Sequence, residues 1–202
     1  MQNNRLFNIV LLGGPGSGKG TQATLVREKY NLEHLSTGQL FRHEIAIKSE
    51  IGLKAKKVID KGNYCSDEIT LDILNKHIAL VQNPKGFVFD GVPRTLDQAK
   101  RMDGVDYAPA VPVTMVINLV VDDDEMVKRI LKRAELEGRS DDTRSIVRQR
   151  IKNYHTLTVP LIEYYANQGK LYQVNGMQTK EKIAEDISQL IDKKIKEQNN
   201  TL

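Results

Sequence analysis

The chain has 202 residues, 30 Lys and Arg against 26 Asp and Glu, and a formal net charge of +4. With 40% hydrophobic and 28% charged residues it is long enough for one sizeable core, which argues against both a disordered chain and two full domains. The charge is mild and aromatics make up only 5%, with none interleaved in a basic stripe, which argues against a nucleic-acid binder.

Five short apolar runs alternate with helical patterns. Strands are expected at 6–12, 32–35, 86–89, 113–121 and 171–174, and helices at 19–30, 67–82, 124–134, 143–167 and 179–196. Leu71, Leu74, Ile78 and Val81 recur at helical spacing, as do Ile183, Ile187 and Leu190. Ser66 before Asp67 and Glu68 reads as an N-cap with an acidic first turn. Pro160 must kink or divide the 143–167 helix. Strands alternating with helices imply an α/β fold with a mainly parallel sheet covered on both faces and ligands at its carboxyl edge. Two stretches fit the sheet poorly: 36–65, with helical turns and charged faces, and 132–142, a short charge-rich loop. Both read as covers over the ligand edge. No apolar run reaches the length of a membrane span, the N-terminal residues lead straight into the first strand, and Cys65 is the only cysteine. A reducing cytoplasm is the expected setting, without disulfide or multi-cysteine zinc site.

The chemistry begins at Gly13-Gly14-Pro15-Gly16-Ser17-Gly18-Lys19-Gly20-Thr21, between the first strand and a helix start. Glycines let the backbone curl round phosphate oxygens, so that successive N–H groups and the positive helix end face the anion, and Lys19 adds a mobile charge. Ser36-Thr37-Gly38-Gln39-Leu40-Phe41-Arg42 follows the second strand; there Arg42 can grip a phosphate bidentately. Alone, that turn is unspecific. The third signal is Phe87-Val88-Phe89-Asp90-Gly91-Val92-Pro93-Arg94-Thr95, with Gln98 one turn on. Asp90 ends a strand where a nucleotide-bound magnesium ion and its waters would lie, and Pro93 fixes the turn that presents Arg94. The Gln98 amide can donate and accept at once, which matches adenine's N1 and exocyclic amine. Arg129, Arg133, Arg139 and Arg150 form the fourth signal, and transfer of a phosphoryl group between two nucleotides needs several such fixed cations. Lys128, Lys132, Arg144 and Arg148 are read as ordinary solvated charges, and His34, His43, His77 and His155 as structural or solvated.

With these four motifs the sequence resembles the adenylate kinases, in the short-lid form of the nucleoside monophosphate kinase family. The resemblance rests on the run from Gly13 to Thr21, on Leu35-Ser36-Thr37-Gly38 with Arg42, on Asp90-Gly91-x-Pro93-Arg94-Thr95-x-x-Gln98, and on Arg133, Arg139, Asp141, Asp142 and Arg150. It covers nearly the whole chain. It implies a P-loop three-layer fold with a five-stranded parallel sheet, an AMP-binding insertion at 36–65 and a short lid at 132–142. It implies that Gly16, Ser17, Gly18, Lys19, Gly20 and Thr21 hold ATP phosphates, that Arg129 and Arg133 flank ATP, and that Gln178 lies by the ATP adenine, largely through its backbone. Around AMP it places Thr37, Arg42, Asn63, Tyr64, Cys65, Gly91, Val92, Pro93, Arg94 and Gln98, with Arg139 and Arg150 bridging the transferred group and AMP.

The implied activity is reversible transfer of the terminal phosphoryl group of Mg-ATP to AMP, giving two ADP. Lys19, Arg94, Arg129, Arg133, Arg139 and Arg150 would be catalytic, Asp90 would reach the magnesium through water, and no zinc would be held. The implied partners are ATP, AMP and ADP, for a monomer with neither nucleic acid nor membrane. Gln39 stands where the family commonly has aspartate and Val92 where it has an aromatic residue. Asn63 and Cys65 are also less usual. These departures bear on the acceptor more than on the reaction class. A UMP or CMP kinase on the same scaffold is the near alternative; Thr95 with Gln98 favours adenine, since pyrimidine-directed relatives tend to carry Asn at that position. A regulatory nucleotide binder without transferase activity is the alternative from another class.

Overall fold

The computed structural model describes residues 6–104, 111–137 and 143–200. Five strands, β1 (Ile9–Gly13), β2 (Glu33–Ser36), β3 (Phe87–Asp90), β4 (Met115–Val120) and β5 (Leu171–Asn175), form one parallel sheet in the order β2-β3-β1-β4-β5. Every residue of β1 is buried, because a central parallel strand is covered on both faces.

Nine α-helices are described: α1 (Lys19–Tyr30), α2 (Thr37–Ala46), α3 (Glu50–Ile59), α4 (Asp67–Leu80), α5 (Leu96–Met102), α6 (Asp123–Glu137), α7 (Arg144–Asn153), α8 (Pro160–Ala166) and α9 (Lys180–Asn199). On one face of the sheet Leu71, Leu74, Ala99, Met102, Leu161 and Tyr165 of α4, α5 and α8 pack over Val10, Phe87, Phe89 and Val116. On the other, Ala23 and Val26 of α1 and Ile183, Ile187 and Ile191 of α9 pack over Ile9, Leu11, Ile117 and Leu119. The alternating side chains of each strand therefore feed two separate cores.

The 36–65 stretch forms α2 and α3, joined to α4 through a small cluster of Phe41, Ala55, Cys65 and Ile73. Helix α6 is held to α7 by Met126, Ile130, Val147 and Ile151. The expected 143–167 helix is divided. A π-helical turn at Tyr154–Thr158 separates α7 from α8, with Val159 N donating to Tyr154 O at 2.9 Å, and Pro160 opens α8 at the first turn, where no amide proton is needed. Helix α5 has no counterpart in the sequence reading. Among the described residues no helix is long and apolar enough to cross a membrane.

Candidate active site

Parallel topology brings the carboxyl ends of β1, β2 and β3 to one edge, and there a cleft of about 730 Å³ opens between α1, α2, α6 and α7. On one wall the loop after β1 delivers Pro15, Gly16, Gly18, Lys19, Gly20 and Thr21. Gly16 has φ +79° and a Cβ there would meet Met126 O at 2.8 Å; Gly18 has φ +94° at the N-cap of α1. Both conformations favour glycine, and they turn the chain so that α1 begins pointing into the cleft.

Hydroxyls close four helix starts elsewhere, Ser49, Ser66, Thr95 and Thr179 capping α3, α4, α5 and α9, while α7 and α8 have no side-chain cap but begin away from the cleft. Helix α1 has no side-chain cap and no acidic residue in its first turn. Helix α2 is also without a side-chain cap, because Ser36 Oγ donates instead to Asp90 Oδ2 at 3.2 Å. Two uncapped helix N-termini thus border one cavity, each a ready anion site.

The Lys19 ammonium donates to Gly13 O at 2.9 Å and Gly14 O at 2.8 Å, folded over its own loop. Burial pushes its pKa down to about 8; Asp90 opposes the shift, while Arg94 and Arg133 add to it. The ammonium therefore sits where an added anion would be strongly favoured. Asp90, paired in register with Leu11 and Ser36, faces the start of α1; a Cβ on Gly20 would lie 3.3 Å from its Oδ2. Glycine at that position leaves the carboxylate uncovered, and a hard oxygen donor beside the phosphate loop suits a hydrated magnesium ion brought in by a nucleotide.

On the facing wall lie Thr37, Gly38, Gln39, Phe41, Arg42, Asn63, Tyr64 and Cys65, with Gly91, Arg94 and Gln98 below and Arg129, Lys132, Arg133 and Arg150 above. Thr37 Oγ1 donates to Gly91 O at 2.9 Å and Arg94 Nε donates to the same carbonyl at 2.7 Å, so one oxygen ties the root of α2 to the arginine. Arg129 donates to Glu125 Oε1 at 2.8 Å, a helix-surface pair it keeps while lining the cleft. A small recess behind Lys19 and Arg94 is bounded by Pro93, Tyr64, Arg150 and Thr158.

Four residues expected at the nucleotides do not line the cleft, and of these Pro93 bounds only the small recess. Ser17 is fully buried beneath the loop, and Val92 is buried in the core over α4 and α5. The Gln178 side chain is drawn away to Asn175 O at 3.2 Å and Asp186 Oδ2 at 2.8 Å, leaving only its backbone for contact. Gln98 does line the cleft, but both ends of its amide are engaged: Oε1 accepts from Arg94 N and Nε2 donates to Asp67 Oδ1, each at 2.7 Å. Reading an adenine edge would therefore require that Asp67 link to give way, or use of the second lone pair of Oε1 and the second proton of Nε2. Arg139 and the distal part of the expected 132–142 lid lie outside the described residues. Burial pushes the Cys65 thiol up to about 11, with Arg94 opposing, so it stays a neutral wall residue.

Lys132, read from sequence as a solvated charge, lines the cleft; its place one turn below Leu136 and beside Arg133 on α6 was the signal. Thr158 was missed as well. Its hydroxyl donates to Arg94 O at 3.0 Å across 64 residues of chain, a link no local pattern carries.

The phosphate loop, the parallel sheet and a cleft with two uncapped helix ends and a ring of cations define a P-loop nucleotide-phosphate-binding protein. The family model for adenylate kinase matches residues 11–170. An adenylate kinase of Flavobacterium psychrophilum is 43% identical over 188 residues, covering 93% of this chain and 99% of the relative. One of Parabacteroides distasonis is 39% identical over 187 residues, covering 93% and 98%, and one of Stenotrophomonas maltophilia is 44% identical over 171 residues, covering 85% and 91%. The chain belongs to the adenylate kinase family.

Proposed function

We propose that this adenylate kinase carries the terminal phosphoryl group of Mg-ATP to AMP, reversibly giving two ADP, across the cleft between the two uncapped helix ends. The observation that carries the assignment of sides is that α1 and α2 open into one cavity with Lys19, Arg94, Arg133 and Arg150 between them.

ATP phosphates lie along Gly16, Gly18, Lys19, Gly20 and Thr21, with Arg129 and Arg133 beside them. AMP lies under the 36–65 cover, its phosphate between Arg42 and Arg94. The AMP phosphate is itself the nucleophile, so no serine, cysteine or histidine is called on. Lys19, Arg94, Arg133 and Arg150 neutralise charge as it spreads over the transferred group, in place before reaction rather than gathered during it. Magnesium arrives with ATP and supplies further neutralisation; Asp90 is the residue that would hold it, through water. The 36–65 cover and the 132–142 lid exclude water, which would otherwise accept the phosphoryl group. One chain supplies every described group the reaction uses, and on that ground we take the enzyme to act as a monomer; its single, buried cysteine fits a reducing cytoplasm.

A coupled assay with Mg-ATP and AMP, GMP, CMP or UMP offered separately tests the reading. ADP production with AMP is expected to exceed the others. Preference for CMP or UMP would reassign the acceptor, and nucleotide binding without turnover would make the chain a regulatory binder.

A further inference from the structure

The Arg94 guanidinium is held on two sides. Its Nε donates to Gly91 O at 2.7 Å, and its carbon lies 4.6 Å from the centroid of the Tyr64 ring, within the range of a cation–π contact. The Tyr64 hydroxyl in turn meets Thr158 Oγ1 at 3.4 Å. Thr158 gives its own proton to Arg94 O, so in this contact the tyrosine is the donor. Ring, guanidinium, backbone carbonyl and threonine close a loop around one arginine.

The turn that carries Tyr64 is anchored to α7 as well as to the cover it belongs to. Asn153 Nδ2 donates to Gly62 O at 2.9 Å and Asn63 Oδ1 at 3.1 Å. Asn153 ends α7, the helix that bears Arg150. The turn is thus held from two sides, by Asn153 of α7 and by α3, where Gly62 N donates to Ile59 O at 2.9 Å and Asn63 N to Val58 O at 3.2 Å, with neighbouring Cys65 in the small cluster.

We propose that Tyr64 is a positioning residue for the acceptor phosphate: its ring fixes the plane of Arg94 so that the η nitrogens meet phosphate oxygens, and it contributes little by touching the nucleotide itself. This rests on the reading of Arg94 as an AMP-phosphate ligand. A planar five-donor fork binds a phosphate bidentately only in one orientation, and restricting it beforehand removes the entropy of ordering it on binding. Burial alone would not orient it. A ring contact of this kind offers no acceptor oxygen, so the η N–H groups remain for the phosphate.

The test is a double-mutant cycle on AMP affinity, read by NMR titration so that millimolar binding is measurable, with turnover measured alongside. Tyr64→Leu is expected to weaken AMP about five- to tenfold with ATP affinity unchanged, and Tyr64→Phe to recover most of that loss. In an Arg94→Ala background the same leucine substitution should change AMP affinity less than about twofold, because the group it orients is gone. An equal loss in both backgrounds would mean that Tyr64 touches AMP directly, and would overturn the proposal. So would Phe failing as badly as Leu. If Arg94→Ala leaves AMP affinity and turnover at wild-type levels, the acceptor-site reading fails instead, a result distinct from either.

Discussion

The two walls of the cleft are built on different foundations. The phosphate-loop wall springs from β1, whose five residues are all buried, and from α1, which packs with α9 over Ile9, Leu11, Ile117 and Leu119. The opposite wall hangs on α2 and α3, which meet α4 through four buried side chains, Phe41, Ala55, Cys65 and Ile73. A frame sunk into a large core opens only with global unfolding, whereas a unit on a small satellite cluster opens at lower cost. The difference suits the chemistry. In the proposed assignment of sides the phosphate-loop wall holds a triphosphate that is the same in every turnover, while the acceptor under the 36–65 cover must enter, be covered and leave.

The largest expected effect lies on the rigid wall. Lys19→Met should lower turnover by about three orders of magnitude or more while leaving the thermal midpoint near that of the wild type, because it deletes a charge already costly to bury. Steady-state kinetics with thermal unfolding of the same sample checks it. Wild-type turnover in a folded variant would remove Lys19 from the mechanism and with it the asymmetry between the walls.

A smaller effect should appear on the satellite side. Phe41 is buried in the four-residue cluster and also lines the cleft. Phe41→Ala removes an aromatic side chain whose loss from a full core costs about 3–5 kcal/mol. Here the loss should be confined to the cover: AMP binding weakened about tenfold, and hydrogen exchange in α2 and α3 accelerated while the amides of α1 and β1 keep their protection. Uniform acceleration across the molecule would mean that the two walls share one cooperative unit.

Much of the rigid wall was legible in the sequence because its signals are local. An apolar run, a glycine-rich turn and a lysine lie within fourteen residues, and strand–helix alternation dictates where such a turn must sit. The cover was legible only as an irregularity in the sheet pattern, and its helices emerged with α2 and α3 as bounded elements. What escaped was long-range. Gln98 showed its capacity to donate and accept, but nothing nearby in sequence pointed to Asp67, which engages its Nε2 from 31 residues away. Thr158 was hidden in a stretch read as helix, since Pro160 requires a break and does not say that the break is a π-turn aimed at Arg94. Helix α5 is seven residues long and opens with Thr95 as its cap, inside a motif whose residues had already been read as chemistry.

The walls also differ in what titrates. Burial holds Lys19, on the phosphate-loop wall, near a pKa of about 8. For folding, the sign follows from a folded-state value below the ordinary lysine value. Between about pH 8 and 10.5 the unfolded chain holds more protons, so stability rises with pH across that window; below pH 8 both states are protonated and the cost of the buried charge is fully present. For binding the sign reverses. ATP phosphates favour the ammonium and raise its pKa, so above pH 8 binding takes up a proton and ATP affinity falls, by up to about tenfold per pH unit. Calorimetry at about pH 8.5 in two buffers of different ionisation enthalpy should register that uptake for ATP, lose it in Lys19→Met, and register none when AMP is the ligand. Equal uptake for both nucleotides would place a second titrating cation on the acceptor wall.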